Sequence, residues 1–247
     1  MKRAMIVTAL ILTFGAFPLL AHEVEEEEEP EPIWVGSLGL AWVATSGNTD
    51  TSTLGLNFAL DRKPEPWGLE LVARGNRAED SGVKTAENYL VSGRAVRTLS
   101  ARWEAFGGLA WAKDPFAGFD SQTVASAGAT YLAVESARHL LSFDMGLAYT
   151  WEDRVPPEED VNFAGGLLGL SWEWTLSKNS KLVERLVFLP NFDDSGDWRL
   201  NSLTALEAAV NSWLALRLGY EIRHRNQPIG DADSTDTTST ASVVFKI

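Results

Sequence analysis

Cysteine is absent from this sequence and histidine is rare. The 247 residues include no cysteine and three histidines. Disulfide bonds, thiolate metal sites and thiol catalysis are therefore excluded. His22 lies in an acidic N-terminal segment, whereas His139 and His224 fall at opposite ends of predicted strands. Because the three histidines do not converge, we predict no metal site. We also predict no catalytic residue and no cofactor, and we expect that the protein is not an enzyme.

Positive charge is also scarce. Lysine and arginine number 21 against 34 aspartate and glutamate residues, which gives a formal net charge of −13. A chain this acidic binds nucleic acid poorly, because the phosphate backbone is itself negative. We therefore expect no nucleic-acid partner.

Long apolar runs are missing except at the N-terminus. Residues 4–20 are almost wholly apolar, follow Lys2 and Arg3, and end beside Ala21, a pattern typical of a secretory signal peptide. We predict that residues 1–21 are such a signal, with a retained membrane anchor as the alternative. No later segment approaches the ~20 continuous apolar residues of a membrane-spanning helix.

The predicted mature chain begins with the acidic segment "HEVEEEEEPEP" (22–32). A run of like charge with two prolines cannot pack, so we predict a solvated, extended tail in the periplasm.

From residue 33 onward, apolar and polar residues alternate with a period of two. In "LSFDMGLAYTW" (141–151) the large apolar residues fall on one face, and small or polar residues fall on the other. Such alternation predicts β-strands. About twelve segments show it: 33–45, 51–62, 67–78, 86–97, 101–112, 122–133, 139–152, 160–173, 180–190, 198–209, 212–224 and 237–247.

The lengths of the segments and of their connections favour a membrane barrel. Most segments run to about a dozen residues, whereas strands of soluble proteins have ~5–6 and tilted transmembrane strands need ~9–11. Short connections such as 63–66 and 98–100 alternate with longer polar ones such as 77–86 and 224–236. Outer-membrane barrels show this asymmetry. We predict an all-β, transmembrane, antiparallel up-and-down barrel of about 12 strands over residues 33–247.

The face opposite the apolar one is rich in small residues and in charges of both signs, which suits a polar lumen. A soluble barrel or sandwich with its apolar face inward is the alternative. The predicted lumen-lining residues are Glu70, Arg74, Arg94, Arg102, Glu104, Asp144, Arg217, Glu221 and Arg223.

Aromatic residues near segment ends predict the two interfacial girdles of such a barrel. Trp34 and Trp42 share one face, as do Trp103 and Trp111. Eight residues at ~3.3 Å, tilted by ~40°, span ~20 Å, which is close to the ~25 Å apolar band. The predicted girdle comprises Trp34, Trp42, Trp67, Trp103, Trp111, Tyr149, Trp151 and Trp213.

Three spaced motifs resemble a known family. They are "TSGNTD" (45–50), "AKDPFAGFDS" (112–121), and "NQP" (226–228) followed by an acidic loop and "DT" (236–237). Over residues 33–247 the chain resembles the YdiY-like, salt-induced outer-membrane proteins, a family of largely unknown function. The resemblance implies a barrel in the outer membrane of a Gram-negative bacterium and implies no catalytic residues.

Two functional hypotheses follow. The first is a narrow pore or a structural, osmotic-stress protein of the envelope. A twelve-stranded lumen lies between filled eight-stranded barrels and open barrels of 16–18 strands, so it can be plugged or conducting. Expected partners are outer-membrane lipids, lipopolysaccharide, the barrel-assembly machinery, and ions or small solutes. The alternative is a non-channel barrel that binds a small ligand or a surface partner.

Overall fold

The computed structural model describes residues 33–46, 51–80 and 83–246, which form a closed barrel of twelve antiparallel strands. Each strand pairs with the next along the chain, and the last pairs with the first, which confirms the predicted fold class. The predicted signal peptide (1–21) and acidic tail (22–32) lie outside the described residues. The strands are β1 (Trp34–Ser46), β2 (Thr51–Arg62), β3 (Trp67–Asp80), β4 (Val83–Thr98), β5 (Trp103–Asp114), β6 (Phe119–Glu135), β7 (His139–Arg154), β8 (Val161–Ser177), β9 (Ser180–Pro190), β10 (Trp198–Ala209), β11 (Leu214–Arg225) and β12 (Thr235–Lys246).

Alternation of apolar and polar residues along each strand separates an apolar outer surface from a more polar interior. On β7, Met145 and Leu147 are 68% and 66% exposed, whereas Ala148 and Thr150 are buried. Because opposite residues of an antiparallel pair share a face, the register carries this assignment around the barrel. The large apolar side chains therefore point outward, as expected of a barrel that uses lipid as the solvent for that face.

Several strands extend further than the sequence pattern predicts. β6 and β8 each have 17 residues, and β3 and β4 pair through most of the predicted loop 77–86. A register shift between Ala78 and Glu79 accompanies this extension. The extra pairs, Glu79 opposite Lys84 and Asp80 opposite Val83, come from a segment that lacks the apolar alternation that marks a strand in the sequence.

The barrel has two unlike ends. The connections 63–66, 99–102, 136–138, 178–179 and 210–213 lie at one end, which we call the turn end. The other end, called the long-loop end, carries the connection 115–118, with a short 3₁₀ helix at Pro115–Ala117, and the loops 155–160, 191–197 and 226–234. None of the described residues forms a helix with the length and hydropathy needed to cross a membrane.

Candidate functional site: the charged lumen

The middle of the lumen is bridged by an arginine on β4 and an aspartate on β7. The guanidinium of Arg94 donates to both carboxylate oxygens of Asp144 at 2.9 Å and to Thr130 at 2.8 Å. Its carbon atom lies 4.1 Å from the centroid of the Phe106 ring. Gly128 makes room for that ring, since a Cβ there would lie 2.8 Å from its Cζ atom. This bidentate ion pair holds Arg94 and Asp144 in one relative orientation and so links β4 to β7 across the lumen.

Two further ion pairs cross to β11 from distant walls. Arg74 on β3 lies 3.0 Å from Glu221 on β11, four strands away around the barrel. Arg223 on β11 lies 3.0 Å from Asp114 at the end of β5, six strands away, which is the opposite wall. Asn88 also donates to Asp114, at 3.1 Å. These contacts span the lumen, so side chains occupy its cross-section.

The densest charged cluster lies at the long-loop end around Glu152 of β7. This carboxylate is 0% exposed and lies 3.0 Å from Arg154, 3.1 Å from Arg199 and 2.9 Å from Arg225. Gln122 donates to it at 2.7 Å. A carboxylate with no contact to water is stable only when such partners surround it. These partners therefore shield the Glu152 carboxylate from solvent.

A second carboxylate completes the Glu152 cluster from the loop that precedes β10. Asp197 lies 3.5 Å from Arg199 and 3.7 Å from Arg225, and Asn191 donates to it at 3.1 Å. Three arginines and two carboxylates thus converge, and side-chain amides supply further hydrogen bonds. Its members come from β6, β7, β10, β11 and the loop 191–197, so the cluster ties half of the wall together.

The loop 226–234 covers this end. Ile229 of the loop is only 4% exposed. It packs on Gly118, where an added Cβ would lie 2.7 Å from the Ile229 Cβ and where φ is +91°. Asn226 donates to the carbonyl of Gly196 at 2.9 Å, which joins the loop 226–234 to the loop 191–197. The cover is therefore held by one apolar anchor and by polar contacts to a neighbouring loop.

In the lumen toward the turn end, the charged side chains are more exposed to solvent, and most have no oppositely charged side chain close by. Asp61 and Arg185 are exposed, and Glu70, Glu104 and Arg217 are half-buried. None of these five side chains forms an ion pair within 4 Å among the described residues. The three acidic residues among these five lie on β2, β3 and β5, and the two arginines lie on β9 and β11, where Glu207 of β10 lies opposite Arg217.

Comparison with known proteins identifies the family. Residues 38–247 match the family described as "Protein of unknown function, DUF481". The chain belongs to this family. It is 23% identical over 216 residues to the "Uncharacterized protein YdiY" of Escherichia coli K12, which covers 86% of this chain and 82% of that protein. This match confirms the resemblance found in the sequence.

Solved structures show the same fold in outer-membrane barrels. The NanC porin superposes with a TM-score of 0.57 at 10% identity, covering 85% of this chain and all of that chain. The translocator domain of the autotransporter NalP from Neisseria meningitidis gives a TM-score of 0.53 at 10% identity, covering 88% and 90%. At these identities the likeness shows the fold of this DUF481 chain and does not transfer a function.

The structure places most sequence-predicted lumen residues on the inner wall of this DUF481 barrel. The register aligns Glu70 with Arg94, and Arg94, Asp144 and Glu221 make the contacts given above. Arg102 is a correction. It lies in the turn 99–102 and donates to the hydroxyl of the outward-facing Tyr131 at 3.3 Å, because β5 begins at Trp103 and not at residue 101.

The predicted girdle residues all lie on the outer surface. Their exposed fractions range from 37% for Trp111 to 54% for Trp67 and Trp213. The structure adds a stacked group at the turn end, where His139 lies 5.7 Å from Trp174 and 6.1 Å from Trp172 between ring centroids. His139 therefore packs against two tryptophan rings. No group of three or more metal-ligating side chains occurs in the described part of the chain.

Sequence reasoning missed the cluster at the long-loop end. It ended the seventh strand at residue 152 and assigned Arg154 and Arg225 to loops, whereas both strands continue to those arginines. One signal was available: Glu152 and Arg154 share the even-numbered face of β7 with Asp144. Only the closure of the barrel brings Arg199 and Arg225 to that face.

Proposed function

We propose that this protein is an outer-membrane β-barrel that forms a narrow pore for small ions and is held closed at its long-loop end by the Glu152 cluster. The long-loop end faces outward from the cell, since outer-membrane barrels place their longer loops there. The chain acts without catalysis. The observation that carries the proposal is the burial of Glu152 among three arginines at the long-loop end of the lumen.

The geometry supports closure without a permanently filled core. The inward face carries some buried apolar side chains, such as Phe106 and Phe163, but the charged side chains in the middle and at the turn end are only partly buried. Ion pairs in a hydrated lumen are individually weak and can exchange partners with mobile ions. Among the described charged side chains Glu152 is the least exposed, so we assign its cluster the role of the barrier.

The membrane location is tested by the mobility of the unheated protein in a detergent gel. A folded membrane barrel should resist the detergent and shift in mobility on boiling. It should also float with liposomes after refolding into them. A mature chain that stays monomeric in buffer without detergent would remove the membrane proposal and favour the ligand-binding alternative.

The pore is tested by conductance in planar bilayers. Wild-type protein should show rare, small openings, because breaking a buried ion pair costs about 3–5 kcal/mol. Glu152→Ala removes the shared carboxylate and leaves Arg154, Arg199 and Arg225 to repel one another, so the open fraction should rise by at least roughly tenfold.

Glu159→Ala is the matched control, because it removes the same charge from an exposed position of the loop 155–160. It should leave the open fraction unchanged. The absence of current steps from both wild-type and Glu152→Ala protein, at any salt concentration, would reject the pore and leave a structural barrel.

A further inference from the structure

The outer wall of β9 to β12 carries polar side chains in the middle of its strands, where the opposite wall carries none. We call this group the outer polar stripe, and its members are Glu184, Ser202, Thr204, Tyr220 and Ser239. The register places Glu184 opposite Thr204, Thr204 opposite Tyr220, and Tyr220 opposite Ser239. The stripe is therefore continuous across four neighbouring strands.

Glu184 is the unusual member. Its carboxylate accepts hydrogen bonds from Ser202, at 2.9 Å, and from Thr204. In the described residues, no other strand carries an outward-facing charged side chain in its middle. A charge facing lipid destabilises a transmembrane barrel, so an isolated glutamate on this wall needs a physical reason.

The stripe crosses the apolar band and does not follow either interface. Tyr220 is the seventh of the twelve residues of β11. With a rise of ~3.3 Å and a tilt of ~40°, it lies about 15 Å along the barrel axis from the start of the strand, within a band ~25 Å tall. Tyr220 is 47% exposed, and Thr204 and Ser239 are also exposed. Lipid headgroups do not reach this depth, and acyl chains offer no hydrogen bonds.

The opposite wall provides the contrast. On β5, β6 and β7 the corresponding outward positions include Gly107, Ala127 and Leu147, which lie side by side and carry no hydrogen-bonding side chain. At these mid-strand positions, hydrogen-bonding side chains therefore occur on β9 to β12 and not on the opposite wall.

We propose that the outer polar stripe is an interface between two copies of this chain within the membrane. The stripe holds an acceptor, the Glu184 carboxylate, and donors, the hydroxyls of Tyr220 and Ser239. Those two hydroxyls have no hydrogen-bond partner among the described residues. A second copy related by a two-fold axis along the membrane normal presents the same groups, so donors of one protomer meet the acceptor of its partner. Polar side chains join transmembrane segments in this way because lipid cannot satisfy them.

Cysteine cross-linking tests the interface directly, because the chain has no cysteine of its own. Leu218 adjoins Tyr220 on the outward face of β11 and is 59% exposed, so Leu218→Cys leaves every member of the stripe intact. Leu109→Cys is the matched control on β5, six strands away, where the leucine is 56% exposed. Each variant is refolded into liposomes at a low protein-to-lipid ratio and oxidised.

Leu218→Cys should give disulfide-linked dimers and Leu109→Cys should not. Adding Glu184→Leu to Leu218→Cys should lower the dimer yield by about tenfold, because each interface then loses two acceptors. Equal yields from the two walls, no dimer from Leu218→Cys, or an unchanged yield with Glu184→Leu would overturn the interface.

The inference rests on the membrane location proposed above and not on conduction. The heat shift of each variant in a detergent gel confirms that it is folded. A chain that fails to enter liposomes contradicts the membrane proposal and the interface together, whereas a folded, inserted chain without cross-links contradicts the interface alone.

Discussion

The two halves of the lumen are built from the same residue types and behave differently. At the long-loop end, Glu152 and Asp197 are buried among three arginines, and a loop covers them. At the turn end, Asp61, Glu70 and Glu104 lie on other strands than Arg185 and Arg217, and all five side chains are at least partly exposed. Composition alone does not distinguish the two halves, because arginine and glutamate or aspartate dominate both.

The difference teaches that burial, and not the number of charges, determines how much an ion pair contributes to the stability and closure of a barrel. We call the long-loop end the dry half and the turn end the wet half. In the dry half each charged side chain needs its ion-pair partners, since an uncompensated buried charge is costly. In the wet half water and salt screen the charges, so removing one has little effect on folding. The dry half therefore contributes stability and closure, and the wet half contributes the electric field that a permeating ion meets.

The largest expected effect tests this contrast through stability. Glu152→Ala should lower the free energy of unfolding by about 3–5 kcal/mol, because the buried Arg199 and the half-buried Arg154 and Arg225 lose their shared partner. Glu104→Ala, in the wet half, should change it by less than about 1 kcal/mol. Urea unfolding in lipid vesicles, followed by tryptophan fluorescence, measures both. Similar losses for the two variants would erase the distinction between the halves.

The middle of the lumen should show an intermediate effect. Arg94→Gln removes the bidentate partner of Asp144 and should cost about 2–3 kcal/mol, because this pair is only partly shielded from water. The double variant Arg94→Met with Asp144→Leu should recover most of that loss, since it leaves no charge unpaired. The same urea unfolding measures the single and double variants. A double variant less stable than Arg94→Gln would show that the pair itself stabilises the barrel.

The contrast between the halves also marks the limit of sequence reasoning. Period-two alternation is a local property, so it predicted twelve strands and the outward face of residues such as Met145 and Leu147. The inward direction of Glu70, Arg94 and Asp144 follows from the same alternation. The partners do not, because Arg74 meets Glu221 across 147 residues of sequence.

The polar ends of strands β7 and β11 are the second feature that the sequence pattern does not predict. Arg154 and Arg225 continue their strands into segments rich in proline, aspartate and glycine, where the sequence pattern predicts loops. Arg154 pairs with Phe119 of β6, and Arg225 pairs with Arg199 of β10. The Glu152 cluster could not be predicted from the sequence, because its ion pairs join β7 to β10 and β11, which do not pair with β7.

The cover over the dry half should yield a smaller effect on folding than the cluster beneath it. Gly118 has φ +91° and contacts Ile229, so Gly118→Val strains the backbone and displaces the loop. We expect a loss of about 1–3 kcal/mol. Faster proteolysis of the loop 226–234 and more frequent channel openings should accompany it. Gly219→Val is the control, because a Cβ there would meet its nearest neighbours only at 3.8 Å. Unchanged proteolysis of the loop in Gly118→Val would show that Ile229 does not anchor the cover.

The smallest expected effect concerns ion selectivity, which depends on the electrostatic field of the charges at the turn end of the lumen. Its unpaired charges are Asp61, Glu70 and Glu104 against Arg185 and Arg217, so acidic groups predominate and the open pore should prefer cations. One unit charge ~8 Å from an ion in water contributes about 0.5 kcal/mol, which is roughly a twofold change in permeability ratio. Glu70→Gln should therefore lower the cation preference about twofold, and Arg217→Gln should raise it by a similar factor. Reversal potentials of the Glu152→Ala channel in a potassium chloride gradient measure both shifts. Shifts in the same direction for the two variants would show that the turn end does not set the selectivity.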